Sequence, residues 1–430
     1  MKAVIMAGGK GTRLSEIAKD IPKPMVKIGD KPLLEHQLDN LKRAGINEVI
    51  IVVGHYGHII KGYFKNGNEF GVSISYITEE APLGTAGSLY YLKDIIKDKF
   101  LLIYGDIFIN IDFNRMINYH EKMHANLTLF VHPNSHPYDS DLIKINENSR
   151  VIGWLYKDEK RPESYSNAVN AGIYVVSCSV LDYVKEIRKM DFEKDIIIPM
   201  ISKQEQVFAY RSSEYSKDMG TPERYREVID NYFNGVCESR NLKNKQKCIF
   251  IDRDGTVNEL NGFIKNPEGM NLISNVPKAI KKVNMSGYLC IIVTNQPVIA
   301  RGETSIDNLN EIHHKIETLL GVEGSYVDDI YYCPHHPDKG FEGEVSELKI
   351  NCDCRKPKIG LLEKAAEKYN IDLNQSWMVG DTTRDIQTGK NAGMKTCLVL
   401  TGEAGKDMKY DVKADIIAND LLDFINVIID

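Results

Sequence analysis

The chain has 430 residues, which exceeds the usual size of a single domain and favours two domains of about 200 residues each. Hydrophobic residues make up 43% and charged residues 27% of the sequence, proportions that argue against a disordered protein. The formal net charge of −6 excludes the strongly basic surface that binds nucleic acid.

Apolar runs in the sequence are short. The first of them, at the N-terminus, is too short for a signal peptide, and no later run approaches the about 18 apolar residues that span a bilayer. The 8 cysteines are too sparse for a disulfide scaffold. We therefore expect a cytoplasmic enzyme with no membrane insertion and no nucleic-acid partner. The oligomeric state stays open, a homo-oligomer included.

Short β-branched runs alternate with amphipathic segments along the chain, a pattern typical of βαβ units. The pattern predicts strands at Ala3–Met6, Glu48–Val53, Phe100–Tyr104, Cys248–Asp252, Tyr288–Thr294 and Trp377–Val379. The fold class is α/β, with two domains that each contain a mainly parallel sheet with helices on both faces. A polar stretch at 236–246 predicts a linker between a domain at 1–235 and a domain at 247–430.

The first predicted strand opens into the glycine-rich turn Gly8-Gly-Lys-Gly-Thr-Arg13. Glycines let backbone N–H groups approach an anion closely at the start of the following helix, although such turns also serve as plain βα connections. In Ile21-Pro-Lys-Pro-Met25, two prolines fix the backbone on both sides of Lys23. The two segments together indicate a phosphate site, with Arg13 and Lys23 as its cations.

Carboxylates follow at two further positions of this half. Asp106 lies two residues after the strand Phe100–Tyr104, and Asp218 precedes a Met-Gly-Thr-Pro turn. Two carboxylates could hold one Mg²⁺ against substrate phosphates, although either aspartate alone could simply cap a helix. Pro82-Leu-Gly-Thr-Ala-Gly87 is a small-residue turn that suits a flat base, and the preceding Glu79 and Glu80 could accept hydrogen bonds from guanine.

Residues 1–230 resemble the sugar-1-phosphate nucleotidyltransferase family in all these segments. The resemblance implies transfer of a nucleotidyl group from an NTP to a sugar phosphate with release of pyrophosphate, on a Rossmann-like fold. It assigns the nucleotide to Gly8, Gly9, Gly11, Thr12, Arg13, Lys23, Glu79, Gly84 and Thr85, of which Arg13 and Lys23 also act in catalysis. It assigns Mg²⁺ to Asp106 and Asp218, and the sugar phosphate to Asn170, Gly172 and Lys157, the last within Tyr156-Lys157 where relatives often have Glu-Lys.

The second half opens with Asp252-Arg-Asp-Gly-Thr256 at the end of a predicted strand. Asp252 can attack phosphorus, and Asp254 can protonate the leaving oxygen and later activate water. Asp381 follows another strand and can complete a cation site, whereas Asp385 could be a supporting ligand or a helix cap, of which the cap is favoured. Thr294, Asn295, Arg355 and Lys356 can bind the phosphoryl group.

This set resembles the haloacid dehalogenase-like phosphatases across residues 247–430. The resemblance implies an aspartyl-phosphate intermediate on Asp252, with Asp254 as acid and base. It also implies Mg²⁺ at Asp252, Asp254 and Asp381.

Three cysteines and two histidines crowd into Cys333-Pro-His-His336 and Cys352-Asp-Cys354. A set of three thiolates and one imidazole leaves no position for water and is typical of structural zinc; unliganded buried thiols are the alternative. We expect zinc at Cys333, His335, Cys352 and Cys354. The pattern resembles the D-glycero-D-manno-heptose 1,7-bisphosphate 7-phosphatases and the related histidinol-phosphate phosphatases, and this resemblance disfavours His336 as a ligand.

The two halves together favour the heptose alternative, because removal of the 7-phosphate yields the 1-phosphate that a nucleotidyltransferase needs. The type of nucleotidyltransferase suggests GTP as the donor. A mannose or glucose 1-phosphate nucleotidyltransferase joined to a histidinol-phosphate or other phosphosugar phosphatase stays open, as does a non-catalytic scaffold in one half.

Overall fold

A computed structural model describes residues 1–9 and 21–429. The described chain separates into two compact units. The first consists of Met1–His132, Ile143–Trp154 and Asn170–Asn241, and the second of Pro133–Leu142, Leu155–Val169 and Leu242–Asp430. The predicted Gly11, Thr12 and Arg13 lie outside the described residues.

Thirteen strands and six α-helices precede residue 240 in the described chain. The strands are β1 Lys2–Ala7, β2 Lys27–Ile28, β3 Lys31–Pro32, β4 Glu48–Val53, β5 Ser73–Thr78, β6 Phe100–Tyr104, β7 Ile107–Asn110, β8 Leu127–His132, β9 Leu142–Ile145, β10 Val151–Leu155, β11 Val169–Val176, β12 Val207–Arg211 and β13 Tyr215–Asp218. The helices are α1 Leu33–Arg43, α2 Gly57–Phe64, α3 Phe113–Lys122, α4 Ile198–Ser202, α5 Pro222–Phe233 and α6 Val236–Ser239.

The main sheet of this part has nine strands. Its central order is β10-β9-β11-β6-β1-β4-β5, and β8 pairs with both β11 and β12. Strand β1 is parallel to β4 and β6, whereas β11 is antiparallel to β6. Because β1 and β6 run in parallel, their carboxyl ends bring Gly8 and Asp106 to the same edge of the sheet. Strands β13 and β7 form a separate antiparallel pair.

Six strands and five α-helices follow. The strands are β14 Lys247–Ile251, β15 Tyr288–Asn295, β16 Asp329–Cys333, β17 Trp377–Gly380, β18 Lys395–Val399 and β19 Ile416–Ala418. The helices are α7 Val276–Asn284, α8 Ile306–Val322, α9 Gly360–Tyr369, α10 Thr383–Asn391 and α11 Leu421–Ile429. All six strands are parallel, in the order β16-β15-β14-β17-β18-β19. The predicted α/β class with parallel-dominated sheets is confirmed.

Strand β14 carries its apolar residues on both faces, as expected for a central parallel strand. Ile249 and Ile251 pack into one core with helices α7 and α11, and Cys248 and Phe250 pack into another with helix α9. All four residues are fully buried. The strand therefore ends at a fixed point, directly before Asp252.

The stretch 236–246 is more ordered than the polar linker predicted from its composition. Helix α6 occupies its start, and the buried Cys237 packs with Val228 beneath it. Leu242, 1% exposed, joins a core of the second unit. These two apolar anchors explain the order, and the division between the units falls between Asn241 and Leu242.

Two segments that precede residue 170 belong to the second unit. The Tyr165 N–H donates to the Thr318 hydroxyl at 2.9 Å, and the Asn167 N–H donates to the Glu317 carboxylate at 3.0 Å. Both acceptors lie on helix α8. The two units therefore differ from the predicted domains at 1–235 and 247–430. Each predicted domain is continuous in sequence, whereas each unit consists of three separate segments.

Within residues 1–9 and 21–429, no helix has the length and apolar character needed to cross a bilayer.

Candidate active sites

The second unit brings four predicted residues to one edge of its parallel sheet. Asp252 follows β14 and Asp381 follows the neighbouring β17, so both carboxylates lie at the carboxyl ends of adjacent strands. Thr294 is the second-last residue of the third adjacent strand, β15. The Lys356 ammonium reaches them from a loop.

Lys356 is the central cation of this site. Its Nζ donates to Asp252 Oδ1 at 2.7 Å, to Asp385 Oδ1 at 2.6 Å and to the Val293 carbonyl at 3.0 Å. The lysine is 4% exposed, and its two carboxylate partners raise its pKa despite burial. A buried ammonium with three acceptors stays charged and holds the Asp252 carboxylate in one orientation.

Three carboxylates of this site crowd together. Oxygens of Asp252, Asp381 and Asp385 lie within 4.8 Å of one another. Burial and the neighbouring carboxylates raise the pKa of Asp252 to about 6 and that of Asp381 to about 8. Asp381 Oδ1 is buried without a hydrogen-bond partner among the described residues. An excess of buried negative charge and an unpartnered oxygen both fit a divalent cation.

Asp254, predicted both as acid/base and as a Mg²⁺ ligand, is outside that carboxylate group. Its oxygens accept from Arg253 Nε at 3.1 Å and Nη2 at 2.8 Å, and from Gln296 Nε2 at 2.8 Å. Asn258 Nδ2 donates to it at 3.2 Å. The side chain is thus held beside Asp252 by three residues, an arrangement that suits an acid/base better than a side-chain metal ligand.

Asp385 serves as more than the predicted helix cap. Its side chain and that of Thr382 form a capping box at the start of α10, and its other oxygen binds Lys356. The two roles are compatible because a carboxylate has two oxygens, and the cap fixes the one that faces the ammonium.

The glycine of the Asp252–Thr256 motif is required by close packing. Gly255 has φ +82°, and a Cβ there would lie 2.2 Å from Asp381 Oδ2. A Cβ at Gly402, φ +55°, would lie 2.1 Å from the same oxygen. Two glycines therefore allow the backbone to close around the Asp381 carboxylate.

The predicted phosphate ligands hold one another. Asn295 exchanges two hydrogen bonds with the Lys356 backbone, at 3.1 and 3.0 Å. The Thr294 hydroxyl accepts from Gln296 Nε2 at 2.9 Å. Arg355 Nη1 donates to the His335 carbonyl at 3.1 Å, which ties this guanidinium to the cysteine-rich loop.

The four predicted ligands of that loop lie together. Cys354 Sγ is 3.2 Å from Cys333 Sγ, from Cys352 Sγ and from His335 Nδ1. Tetrahedral zinc would hold such atoms about 3.5–3.8 Å apart, so the cluster could bind it after small shifts. Side-chain hydrogen bonds with Cys333, Cys352 and His335 lower the pKa of Cys354 to about 5. The neighbouring His336 instead contacts Arg301 at 3.3 Å.

The first unit pairs a cation and a carboxylate at the end of β6. Lys23 Nζ donates to Asp106 Oδ2 at 3.1 Å, with the lysine side chain 9% and the aspartate side chain 40% exposed. The Met219 N–H donates to the Asp106 carbonyl at 3.0 Å, so Asp218 lies beside Asp106 on the paired strand β13. Burial raises the pKa of Asp218, but Arg224, which binds both its oxygens, outweighs this and lowers it.

Glu79 lies against the glycine turn. A Cβ at Gly8 would be 2.6 Å from Glu79 Oε2, so only glycine allows this approach, while Gly9 is open. Burial raises the pKa of Glu79. Its Oε1 is buried with no hydrogen-bond partner among the described residues. The carboxylate is therefore available to a hydrogen-bond donor of a ligand.

The small-residue turn packs on a later segment. Gly84, φ +76°, approaches the Met190 carbonyl so closely that a Cβ would lie 2.2 Å from it. The Thr85 hydroxyl accepts from the Phe192 N–H at 2.8 Å. Thr85 thus has a structural bond in addition to its predicted contact with nucleotide.

Asn170 and Gly172 lie on strand β11, and Gly172, φ +70°, leaves room for the Tyr104 ring. Asn170 Nδ2 donates to the Tyr174 hydroxyl at 2.8 Å. Lys157, the third predicted sugar-phosphate residue, is exposed and belongs to a segment of the second unit. Its backbone N–H donates to Asp141 at 2.9 Å.

Both halves of the chain are similar to known proteins. Residues 2–235 match the family model described as nucleotidyl transferase, and residues 353–424 match the one described as HAD-hydrolase-like. A D-glycero-beta-D-manno-heptose-1,7-bisphosphate 7-phosphatase from Haemophilus ducreyi is 40% identical over 42% of this chain and 97% of its own length. The chain belongs to two families, the nucleotidyl transferases and the HAD-like phosphatases.

Two further similarities fall on the nucleotidyl transferase half. A mannose-1-phosphate guanylyltransferase from Mycobacterium tuberculosis is 29% identical over 56% of this chain and 67% of its own length. The crystal structure of HddC from Yersinia pseudotuberculosis is 25% identical, with a TM-score of 0.48, over 54% of this chain and 99% of that one.

Several residues of the two sites escaped prediction. In the HAD-like phosphatase half they are Arg253 and Gln296, which hold Asp254. Both lie next to predicted residues, and this position within the motifs could have indicated that they belong to the site. In the nucleotidyl transferase half, Glu193 binds the Tyr104 and Tyr174 hydroxyls. Nothing local in the sequence distinguishes this glutamate from a surface residue.

Proposed function

We propose that the chain is a bifunctional enzyme of nucleotide-sugar synthesis. The HAD-like half removes the 7-phosphate of D-glycero-D-manno-heptose 1,7-bisphosphate through an aspartyl-phosphate. The nucleotidyl transferase half then joins the nucleotidyl group of an NTP, GTP by preference, to heptose 1-phosphate and releases pyrophosphate.

The observation that carries this proposal is the presence of both sites in one chain. Removal of the 7-phosphate leaves a sugar with its 1-phosphate intact, and such a sugar phosphate is what a nucleotidyl transferase consumes. The relative at 40% identity bears the name of a heptose bisphosphatase over 97% of its length, which supports the sugar.

In the phosphatase reaction, Asp252 Oδ attacks phosphorus and the P–O bond to the sugar breaks. Asp254 donates its proton to the departing sugar oxygen. The ionised Asp254 then takes a proton from water, whose oxygen attacks the aspartyl-phosphate and releases inorganic phosphate with Asp252 restored. Lys356 remains paired with Asp252 and Asp385 and offsets charge on the phosphoryl oxygens.

Mg²⁺ fits the crowded carboxylates at this site, with Asp252, Asp381 and Asp385 as candidate ligands or neighbours. Arg253 and Gln296 donate hydrogen bonds to the Asp254 side chain. Asp254 therefore remains a candidate Mg²⁺ ligand only through a group other than that side chain. When bound, Mg²⁺ would neutralise the carboxylates and the transferring phosphoryl group.

In the transferase reaction, an oxygen of the sugar phosphate attacks the α-phosphorus of the NTP in line, and the bond to pyrophosphate breaks. Lys23 neutralises phosphate charge, and its contact with Asp106 keeps the ammonium at the sheet edge. Arg13 is proposed as a second cation on sequence grounds. Asp106 and Asp218 offer Mg²⁺ two carboxylates on paired strands, beside substrate phosphates.

Preference for guanine rests on Glu79. Its half-buried carboxylate has Oε2 beside Gly8 and Oε1 without a partner among the described residues, and guanine N1–H and N2–H₂ can donate to such a group. Asn170 and Gly172 are proposed to contact the sugar. The proposal that Lys157 binds the sugar phosphate rests on the sequence alone.

Zinc is proposed at Cys333, His335, Cys352 and Cys354. A closed set of four protein ligands suits a structural ion. Because the His335 carbonyl binds the Arg355 guanidinium, the metal would also steady the phosphate-binding loop.

The test is to supply the intact chain with Mg²⁺, each anomer of heptose 1,7-bisphosphate and each of the four NTPs, and to identify products by mass spectrometry. We expect phosphate and pyrophosphate in equal amounts together with a GDP-heptose. The named relative acts on the beta anomer, so a preference between anomers is read from the same experiment. Phosphate release without nucleotide-sugar from any NTP would contradict the coupled function.

Mannose 1-phosphate is a second candidate acceptor. The relative at 29% identity bears the name of a mannose-1-phosphate guanylyltransferase. Competition between mannose 1-phosphate and heptose 1-phosphate for GTP distinguishes the two acceptors, and a higher kcat/KM for mannose 1-phosphate would replace the heptose assignment for this half.

A further inference from the structure

Glu193 lies where three segments of the proposed transferase site meet. It opens a π-helical segment, Glu193–Ile197, directly after the residues that pair with the turn at Gly84 and Thr85. Its Oε1 accepts from the Tyr104 hydroxyl at 2.8 Å and from the Tyr174 hydroxyl at 2.9 Å. Tyr104 ends the strand that leads to Asp106, and Tyr174 shares strand β11 with Asn170.

With Glu193 ionised, the hydrogen bonds of Tyr174 have one consistent direction, and Asn170 Nδ2 also lies 3.5 Å from Glu193 Oε1. A tyrosine hydroxyl carries a single proton, and Tyr174 donates it to the Glu193 carboxylate. The Tyr174 oxygen must then accept from Asn170, whose Nδ2 lies 2.8 Å away. The amide nitrogen of Asn170 is thereby committed, and its Oδ1 faces the Gly172 N–H at the long distance of 3.4 Å.

We infer that Glu193 is a positioning residue for sugar recognition: through Tyr174 it orients the Asn170 amide so that Oδ1 is presented as an acceptor for a sugar hydroxyl. The inference rests on the proposed transferase function and names a chemical preference within it. A sugar that offers a hydroxyl donor at this position binds well, and its deoxy analogue binds poorly.

Burial supports this arrangement. Tyr174 is fully buried, so its hydroxyl finds its partners within the protein. Burial, with Asp191 nearby, raises the pKa of Glu193 to about 7. Assays at pH 8 therefore keep the carboxylate ionised and able to accept both tyrosine protons.

The test compares Glu193→Ala and Glu193→Gln in the intact chain, with steady-state KM values for the sugar 1-phosphate and for GTP measured separately. In Glu193→Ala the Tyr174 proton is free to turn toward Asn170, and the amide can flip. We expect the sugar-phosphate KM to rise about tenfold, the effect of one positioned hydrogen bond, with the GTP KM unchanged. Glu193→Gln keeps a carbonyl acceptor and should restore most of the affinity for sugar phosphate.

Tyr174→Phe supplies an independent check, because it removes the hydroxyl between Glu193 and Asn170 and leaves only their long direct contact of 3.5 Å, so it should reproduce the rise in sugar-phosphate KM. Glu186→Ala, at an exposed glutamate of the same unit, is the matched control and should change neither KM.

The outcomes distinguish failure of the Glu193 inference from failure of the proposed transferase function. Equal increases in both KM values, or a Glu193→Gln enzyme as impaired as Glu193→Ala, would show a general structural role and overturn the inference. Failure of the wild-type chain to release pyrophosphate with any sugar 1-phosphate would instead overturn the proposed transferase function.

Discussion

The two sites differ in how much of the reactive geometry the protein itself fixes. In the second unit, Lys356 is 4% exposed and lies between two carboxylates at 2.6 and 2.7 Å. In the first unit, Lys23 has one carboxylate partner among the described residues, at 3.1 Å, and the side chain of that partner, Asp106, is 40% exposed.

The difference follows from the chemistry proposed for each site. A protein carboxylate that attacks phosphorus must be aimed before substrate arrives, so its cation and its neighbours are buried around it. A transferase that joins two substrates needs mainly to neutralise and align them, and its groups can remain open to phosphates and metal. Four predictions sharpen or break this contrast.

The largest effect is expected from Asp252→Asn, which removes the proposed nucleophile while preserving its shape. Phosphate release should fall by about 10⁴-fold or more, as for other catalytic groups that act as a unit, while pyrophosphate release from supplied sugar 1-phosphate is unchanged. Both products are measured on the same preparation. Asp411→Asn, at an exposed aspartate of the same unit, should leave both rates unchanged. Residual phosphate release close to wild type would place the nucleophile elsewhere.

The paired substitutions Lys356→Met and Lys23→Met test the contrast directly. Lys356→Met leaves Asp252 and Asp385 as buried carboxylates without their cation, which should cost about 3–5 kcal/mol of local stability in addition to phosphatase activity. Lys23→Met should lower nucleotidyl transfer by about 10²–10³-fold, with less than about 1 kcal/mol lost, because water can solvate Asp106.

Hydrogen exchange of the backbone amides in β14 and β15, compared with those in β1 and β6, measures the stability difference. Faster exchange around Lys23 than around Lys356 in the respective variants would contradict the proposed difference between the sites.

Sequence reasoning went furthest where function depends on the ends of strands. β-branched runs fixed β4 and β6 to the residue and the other predicted strands to within one or two. Because neighbouring parallel strands end at one edge, Asp252, Thr294 and Asp381 could be grouped before their distances were known. The clustering of Cys333, His335, Cys352 and Cys354 was similarly predictable, because short spacing within two loops limits where they can lie.

Sequence reasoning went less far where a role depends on a distant partner. Asp385 has the spacing of a helix cap, and only the path of Lys356 shows that its second oxygen has another partner. Glu193 becomes notable because two tyrosines from other strands converge on it. The segments 133–142 and 155–169 join the second unit through backbone bonds to side chains of α8, and no local pattern encodes such contacts.

Removal of the proposed zinc is expected to act on one reaction only. Cys352→Ser removes one of four ligands and should release the loop whose His335 carbonyl holds Arg355. We expect phosphatase activity to fall about 10–100-fold, with nucleotidyl transfer retained. Zinc content by plasma emission should fall from near one ion per chain, and Cys178→Ser, at a cysteine outside the cluster, is the control. Full phosphatase activity in a zinc-free chain would separate this loop from catalysis.

The smallest effect concerns Gln296, one of three residues that hold the acid/base. Its Nε2 donates both to Asp254 at 2.8 Å and to Thr294 at 2.9 Å. Gln296→Ala leaves Arg253 and Asn258 to hold Asp254, so kcat of the phosphatase should fall by only about tenfold, equivalent to one net hydrogen bond of about 1.4 kcal/mol.

Gln296→Glu provides the opposing case, because it replaces a donor with a carboxylate that repels Asp254 and should lower kcat further than alanine does. If alanine matched the loss seen with Asp252→Asn, Gln296 would itself be indispensable to the chemistry, and the acid/base would depend on one amide. If glutamate were better tolerated than alanine, the amide would not be donating to Asp254 during turnover. The Gln296–Asp254 hydrogen bond would then form only in the enzyme without substrate.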